Sequence, residues 1–206
     1  LSPLLSNIIL NDLDRELEKR GHKFVRYADD CNIYVRSRRA GERVKESIEK
    51  FLERKLRLKC NQAKSGVDKI SQRSFLGFNF SNERVPKIRL SRKAKKKFKK
   101  NVRRLTKRRH STSMEKRIKR LNLYLVGWIG YFHIARTPSI YRDYDSWIRR
   151  RLRVCQLKQW KLPDTKRRRL RGLRVPDDVI RSFYGSNKRC WSDSGSLAVS
   201  MGLNVK

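Results

Sequence analysis

Hydrophobic side chains recur at helical spacing through the first twenty residues of the chain. A serine and a proline begin this segment, supplying a capping hydroxyl and a proline at the first helical position. Gly21 follows the last periodic residue and is a typical helix end. The spacing therefore predicts an amphipathic helix with apolar positions at Leu4, Leu5, Ile8, Leu13 and Leu17.

Residues 23–37 change to β-branched and aromatic side chains. Two such runs, 24–27 and 33–35, are separated by an Ala-Asp-Asp sequence at residues 28–30. This pattern predicts a β-hairpin with an acidic turn. An amphipathic helix is expected next, with apolar positions at Val44, Ile48, Phe51, Leu52 and Leu56.

Short strands are predicted in the following segment. One is expected at 58–60, followed by a polar turn, and a strand pair is expected around 75–80 and 85–90. The composition changes near Pro86, which marks the predicted domain boundary.

Beyond Pro86 helical spacing returns in a very basic sequence. Ser91 is expected to cap a first helix. Thr112 and Glu115 have capping-box spacing before a second helix, and a third begins after Pro138. After residue 163 only short basic helices and loops are expected. The three apolar stripes are Ala94, Phe98, Val102 and Leu105; Ile118, Leu121, Leu125, Trp128, Ile129 and Phe132; and Ile140, Tyr144, Trp147, Ile148 and Leu152.

Charge changes this picture, because the chain carries 55 basic and 19 acidic residues and a formal charge of +36. Residues 1–60 hold 15 of the basic and 10 of the acidic residues, so residues 61–206 hold the other 40 and 9. Residues 84–114 contain no acidic residue. Self-repulsion on this scale destabilises a compact chain unless a polyanion neutralises it, and nucleic acid is the first partner to consider.

The apolar runs and the cysteine pattern argue against a membrane protein and a zinc protein. A polybasic membrane segment normally accompanies a long apolar anchor, and the longest apolar runs here, such as 8–10, are far shorter than the roughly 20 residues of a membrane span. We therefore do not expect this chain to bind a membrane. The four cysteines show no C-x-x-C pair, so a zinc site is not expected and reduced thiols are the default.

Asp29 and Asp30 are the candidate catalytic residues. Nucleotide chemistry often uses two divalent cations held by carboxylates, and an acidic hairpin turn offers such ligands. Because neighbouring residues of a strand point to opposite faces, one aspartate at most is expected to bind both metals. The alternative is a solvated turn, which aspartate also favours.

The residues 27–30, Tyr-Ala-Asp-Asp, resemble the Y-x-D-D box of reverse transcriptases. Other blocks similar to group II intron reverse transcriptase/maturases stand in order around it: residues 1–8 (LSPLLSNI), 58–65 (LKCNQAKS) and 75–78 (FLGF). Residues 125–132, 147–153 and 158–161 resemble the maturase-specific region, domain X, which corresponds to the polymerase thumb. Several ordered blocks carry this resemblance, since any single one is weak.

The resemblance implies an α+β fold: a partial polymerase palm, with a β-hairpin and strands packed on helices, followed by a basic α-helical thumb/maturase domain. The implied domains are a palm at 1–86, the thumb and domain X at 87–162, and a basic extension at 163–206. It further implies magnesium at Asp29 and Asp30, nucleotide contacts from Ser2, Pro3 and Lys64, and a primer grip at Phe75, Leu76 and Gly77. The alternatives are a solvated Lys64 and core roles for Phe75 and Phe78.

RNA contacts are expected from the basic helices, since each neutralised phosphate releases counterions. A solvated basic face is the alternative for these side chains. Tyr131, Tyr141 and Trp160 are candidates for base stacking, whereas Trp128 and Trp147 have core spacing. The predicted RNA-binding residues are Lys95, Lys96, Lys97, Lys99, Lys100, Arg103, Arg104, Arg149, Arg150 and Arg151, with Arg153 as a further phosphate contact.

The family's third carboxylate and its fingers would lie before residue 1. The polypeptide alone is therefore not expected to polymerise DNA, and the chain is interpreted as a fragment or a truncated gene product of an RNA-directed DNA polymerase with maturase function. The expected partners are structured intron RNA and an RNA/DNA primer-template, in a cytoplasmic, nucleoid or ribonucleoprotein setting or an organelle. A non-enzymatic maturase or a general basic RNA-binding protein is the alternative.

Overall fold

The computed structural model describes residues 2–108, 112–183, 185 and 190–204, without the side chains of residues 2 and 3. The chain divides into two compact units, residues 1–73 and 74–206. The predicted boundaries at residues 86 and 162 stay predictions of domain organisation, because the division at residue 73 reflects compactness alone.

The first unit contains two helices and one hairpin. Helix α1 spans Ser2–Lys19, strands β1 and β2 span Lys23–Tyr27 and Asp30–Tyr34, and helix α2 spans Arg38–Lys55. The end of α1 is a Schellman motif, since His22 N–H donates to the Leu17 carbonyl at 3.0 Å and Gly21 has φ +69°. The predicted helix, its glycine end, the hairpin and α2 are confirmed.

The core of this unit lies between α1, α2 and the hairpin. Its buried residues are Leu10, Leu13, Leu17 and Ile48, with Phe24, Cys31, Ile33, Val44, Phe51, Leu52, Leu56 and Leu58 packed against them. The apolar stripe of α1 is buried only in its second half. Leu4, Leu5 and Ile8 are exposed.

The predicted strand at 58–60 is wrong. The backbone bends just before it, because Arg57 adopts φ +55° and Leu58 N–H donates to the Leu52 carbonyl at 3.0 Å at the end of α2. This segment carries no strand assignment, and Leu58 joins the core from a loop. The polar turn that follows is confirmed by hydrogen bonds from Lys64 and Ser65 to the Asn61 carbonyl.

The second unit begins with a short hairpin and continues as helices. Strands β3 (Phe78–Phe80) and β4 (Ile88–Leu90) are antiparallel and shorter than the pair predicted. Helices α3, α4 and α5 span Arg92–Leu105, Met114–Phe132 and Pro138–Gln159. Their shared core contains Phe98, Val102, Leu121, Tyr144, Ile148 and Leu152.

Capping decides where two of these helices begin. The Ser91 hydroxyl accepts from Ala94 N–H at 3.1 Å, which confirms the predicted cap of α3. The capping box at Thr112 and Glu115 is wrong by one residue. Helix α4 begins at Met114, so Ser113 is its N-cap and accepts from Lys116 N–H at 3.3 Å.

Described residues beyond 162 pack with the end of α5 into a second core of this unit. Helices α6 (Pro163–Gly172), α7 (Asp177–Arg181), α8 (Cys190–Asp193) and α9 (Leu197–Gly202) follow α5. Lys166 is fully buried, and its ammonium donates to the Gly185 carbonyl at 2.6 Å. Burial lowers the pKa of Lys166. The apolar residues of this core are Leu157, Leu170, Val175, Ile180, Phe183, Ala198 and Val199.

Candidate catalytic turn and RNA-binding helix

The acidic turn closes the hairpin of the first unit with two residues. Tyr27 pairs with Asp30, which leaves Ala28 and Asp29 in the turn. Ala28 adopts φ +53°, a conformation that costs energy for a residue with a Cβ atom. Asp29 and Asp30 are both exposed. One face at the base of the turn is open to solvent, since Tyr27 is 63% exposed.

The two carboxylates of the turn are neighbours in sequence and are both open to solvent. Neither forms an ion pair with another described residue, so both present oxygen atoms to a cation. Carboxylate oxygens are the ligands that Mg²⁺ prefers. Among the described residues, no group of three or more His, Cys, Asp or Glu side chains lies together as a metal site would require. Asp29 and Asp30 therefore fit part of a magnesium site.

Asp14 on α1 lies against strand β1, and Arg26 of that strand binds its carboxylate. Both of its oxygens accept hydrogen bonds from Arg26, at 2.8 Å and 2.5 Å. Cys31 faces Arg26 across the hairpin. Burial, and next the charge of Asp14, raise the pKa of the Cys31 thiol to about 11, so it is neutral at pH 7.

The predicted nucleotide-binding residues are only partly placed. The side chains of Ser2 and Pro3 lie outside the described residues, although both belong to α1. Lys64 lies in an exposed turn, and its carbonyl accepts a hydrogen bond from Arg73 at 3.0 Å. Within the described chain no contact links Lys64 to Asp29 or Asp30. The nucleotide roles stay predictions.

The predicted primer-grip residues form a tight turn. Phe75 and Phe78 exchange both backbone hydrogen bonds at 2.9 Å, and Leu76 and Gly77 between them have φ +51° and +83°. Positive φ at both central positions is the type I′ geometry, which glycine accepts readily and leucine does not. A Cβ atom at Gly77 would lie 3.0 Å from the Phe132 ring, so a larger residue would also crowd this ring.

This turn is fixed to α4 by aromatic contacts. The Phe78 ring stacks on Tyr131 with 5.7 Å between centroids and contacts Phe132 at 5.2 Å. The Tyr131 hydroxyl donates to the Leu76 carbonyl at 3.1 Å. These contacts place Tyr131, a candidate for base stacking, in protein packing. The primer-grip role itself stays a prediction.

Helix α3 has the strongest positive charge in the fold. Nine of its fourteen residues are Lys or Arg and none is acidic. Its buried stripe of Ala94, Phe98 and Val102 packs into the core, and Lys95 is half-buried. No ion pair within the described chain involves α3. The exposed basic residues of α3 are Arg92, Lys93, Lys96, Lys97, Lys99, Lys100, Arg103 and Arg104.

Two arginines from other helices satisfy the C-terminal end of α3. Arg117 donates to the carbonyls of Leu105 and Lys107, at 3.4 Å and 2.9 Å. Arg151 donates to the Thr106 hydroxyl at 2.6 Å and to the Arg103 carbonyl at 3.4 Å. Cations are favourable at the carbonyl end of a helix. These contacts fix α3, and its exposed lysines form no ion pair with any described residue, although the Lys99 ammonium lies 5.8 Å from the centre of the Tyr144 ring.

The arginines predicted to bind RNA on α5 make protein contacts. Arg149 pairs with Asp145 at 2.7 Å. Arg150 donates to the Trp191 carbonyl at 3.0 Å and lies over the Trp191 ring. Arg153 donates to the Ser200 hydroxyl at 3.1 Å. Together with the contacts of Arg151, these bonds use donors that phosphate binding would need. RNA binding by these side chains stays a prediction.

The remaining aromatic candidates also pack within the protein. Trp128 and Trp147 are half-buried against the α3–α5 core, which confirms their expected packing role. The Tyr141 hydroxyl donates to the Phe132 carbonyl at 2.7 Å, and Trp160 packs on the second core of this unit. Sequence spacing did not reveal these two contacts, because spacing within a helix does not show which other segment that helix packs against.

Two family models match the chain, one over the segment with the acidic turn and one over the segment with most of α3. The model described as Reverse transcriptase (RNA-dependent DNA polymerase) matches residues 1–80, and the model described as Group II intron, maturase-specific domain matches residues 95–173. The chain belongs to the group II intron-encoded reverse transcriptase/maturases. In this family context, the acidic turn lies in the reverse transcriptase match and most of α3 lies in the maturase match.

A comparison with curated proteins finds no match to this chain. The α+β fold class predicted from the resemblance is confirmed, with small antiparallel strand pairs beside helices. Within the described residues, no helix has both the length and the apolar character that crossing a bilayer requires.

Proposed function

We propose that this reverse transcriptase/maturase chain has two functions. Its carboxylates at Asp29 and Asp30 bind magnesium for DNA synthesis, and its basic helix α3 binds intron RNA. The observation that supports the first function is the pair of exposed, unpaired carboxylates at Asp29 and Asp30 on a tightly held turn. The unpaired charge of α3 supports the second.

Asp29 and Asp30 would bind magnesium at the end of the hairpin, where both side chains are exposed to solvent. Magnesium bound there supplies activation of the attacking oxygen and stabilisation of the leaving oxygen in nucleotide transfer. Lys64 would approach the nucleotide phosphates, and the Phe75–Phe78 turn would contact the primer end. Among the described residues this turn offers two carboxylates and no third acidic partner, so the test of DNA synthesis supplies the N-terminal half of the enzyme separately.

At α3, the lysines would neutralise RNA phosphates. Like charges four residues apart on a helix repel each other, as Lys95 with Lys99 and Lys96 with Lys100 do here. RNA relieves this repulsion and releases counterions at the same time. The expected ligand is structured intron RNA, together with an RNA/DNA primer-template during synthesis.

Primer extension tests the catalytic part of the proposal. The chain is mixed with the N-terminal half of a group II intron reverse transcriptase, an RNA template and a DNA primer. We expect extension that falls to background with Asp29→Ala and with Asp30→Asn. Asp12→Asn, which removes an exposed carboxylate of α1, is the matched control and should leave extension unchanged. Activity that survives Asp29→Ala would show that the assigned metal role is wrong.

A maturase without polymerase activity is the second candidate function. The match of residues 95–173 to the maturase-specific domain and the charge of α3 support it. Binding to a structured group II intron RNA is compared with binding to bulk RNA of equal length. Strong preference for the intron, combined with no extension in the mixture, would support this candidate. Equal binding to both RNAs would instead indicate a general basic RNA-binding protein.

A further inference from the structure

Arg26 on β1 joins helix α1 to the acidic turn. Its Nε and Nη2 atoms donate to the two oxygens of Asp14, at 2.8 Å and 2.5 Å. Its Nη1 atom donates to the Asn7 side-chain oxygen at 2.8 Å and to the Ala28 carbonyl at 2.8 Å. One guanidinium therefore holds two side chains of α1 and one backbone group of the turn.

The geometry of these bonds requires an arginine. Guanidinium is planar and presents its donors in a fixed fork, whereas a lysine ammonium is a single point at the end of a flexible chain. The Arg26 side chain is only 12% exposed, so its donors face protein acceptors. The hydrogen bond with Asp14 raises the pKa of Arg26, and the group stays charged at every working pH.

The bond to Ala28 acts directly on the residue that carries the candidate metal ligand. The Ala28 carbonyl belongs to the peptide group whose nitrogen is the Asp29 amide. Holding this carbonyl fixes the plane of that peptide. Ala28 has φ +53°, which an alanine does not prefer, so the turn needs an external contact to keep this conformation.

The hydrogen bonds from Arg26 to Asn7 and Asp14 hold the guanidinium against helix α1. Asn7 and Asp14 are seven residues apart, so they lie on one face of the helix about 10 Å apart along its axis. Asn7 belongs to the segment 1–8 that is expected to line the nucleotide pocket. Arg26 thus connects that segment to the turn within one compact unit.

We propose that Arg26 is a positioning residue that sets the Asp29–Asp30 turn against the N-terminal half of α1 so that both aspartates hold a divalent cation. This inference rests on the proposed metal role of the two aspartates. Arg26 does not contact the cation or the substrate in this account. Partners that orient metal ligands typically change metal affinity by about 10–100-fold when they are removed.

The test uses the full chain with Mn²⁺ as a paramagnetic probe and no nucleic acid. Broadening of the backbone amide signals of residues 29 and 30 is followed by NMR as Mn²⁺ is added. For wild type we expect selective broadening at these residues. Arg26→Lys keeps a charge beside Asp14 but loses the fork, and we expect its apparent Mn²⁺ affinity to fall about tenfold. Asn7→Ala should give a smaller loss.

Arg20→Met is the matched control. Arg20 pairs with Glu16 at 2.7 Å and donates to the Ser47 hydroxyl at 2.8 Å. Its removal therefore also leaves two partners in the first unit without their donor, but neither partner belongs to the turn. We expect lower stability and unchanged Mn²⁺ affinity in this variant. A merely stabilising role for Arg26 would make the two variants behave alike.

The outcomes separate the two claims. Unchanged Mn²⁺ affinity and unchanged amide shifts of residues 28–30 in folded Arg26→Lys overturn the role of Arg26 while leaving the metal site in place. Wild-type broadening that persists in the Asp29→Asn, Asp30→Asn double variant, or no selective broadening in wild type, overturns the proposed metal site itself. Arg26→Met provides a second, charge-free variant, and its chemical shifts show whether it folds.

Discussion

The two compact units differ in how much of their positive charge is paired with carboxylates. In the first unit arginines pair with carboxylates, as Arg26 does with Asp14 and Arg20 with Glu16. In the second unit acidic residues are scarce; ion pairs such as Arg149 with Asp145 form, but Arg150, Arg151 and Arg153 donate to carbonyls and hydroxyls. Helix α3 has no acidic neighbour in any described ion pair. Paired charge positions groups in the first unit, and unpaired charge in the second is available to a polyanion.

Removing charge from α3 should have the largest effect on RNA binding. Replacement of Lys96, Lys97, Lys99 and Lys100 by Gln is expected to lower affinity for structured RNA on the order of a hundredfold at 0.1 M salt, because four phosphate contacts are lost. The slope of log affinity against log salt should fall in magnitude by about 3. Filter binding across a salt series measures both.

A matched set of substitutions lies on α2 of the first unit. Arg38, Arg39, Arg43 and Lys50 are exposed basic residues, and two of them already pair with Glu42 and Glu46. Replacing these four by Gln removes the same charge. An equal loss of RNA affinity in this control would break the contrast between the two units.

The Arg151→Met substitution should separate stability from RNA binding. Arg151 satisfies the end of α3 at the buried Thr106, so we expect a loss of about 2 kcal/mol in the free energy of unfolding. RNA affinity of the folded variant should stay near that of wild type. Urea denaturation and filter binding provide the two measurements. Arg149→Met, which removes a surface pair, should cost at most about 0.5 kcal/mol.

Loss of the α3 cap should have a moderate effect. The Ser91 hydroxyl satisfies the Ala94 amide at a buried position, so Ser91→Ala is expected to lower the free energy of unfolding by about 1 kcal/mol. Thr112→Ala, at the residue that does not cap α4, is the control and should change stability little. Reversal of this order would contradict the observed helix starts.

The smallest effect is a pH dependence in the first unit. The folded pKa of Cys31 is raised to about 11 from its ordinary value near 9, so the unfolded chain loses this proton first as pH rises. The stability contributed by the neutral thiol is complete below pH 9 and is lost as pH rises toward 11. Urea midpoints at pH 8 and pH 10 should therefore differ more in wild type than in Cys31→Ala.

Sequence reasoning located elements whose signals are local. The hairpin at Asp29 and Asp30, the Ser91 cap and the apolar stripe of α3 depend on neighbouring residues, and all three are confirmed. The prediction of a strand at 58–60 is wrong because a short Leu-Lys-Cys run does not show whether a partner strand is available. Here the chain bends at Arg57 and no pairing forms.

Sequence reasoning could not locate contacts between distant segments. Arg26 and Asp14 lie on different elements, and nothing in their spacing shows that a strand position faces a helix position twelve residues earlier. The same limit applies to Arg151, whose partner Thr106 is 45 residues away. An arginine that satisfies a helix end looks the same in sequence as one that binds phosphate. Only the packing of α5 on α3 separates the two roles.

Photocrosslinking tests the contrast between paired and unpaired charge most directly. A structured intron RNA carrying 4-thiouridine is crosslinked to the full chain, and the modified peptides are identified by mass spectrometry. We predict that crosslinks concentrate in α3 peptides and are few in α2 peptides. Crosslinks concentrated in α2 with α3 unmodified would contradict the assignment of RNA binding to the unpaired charge of the second unit.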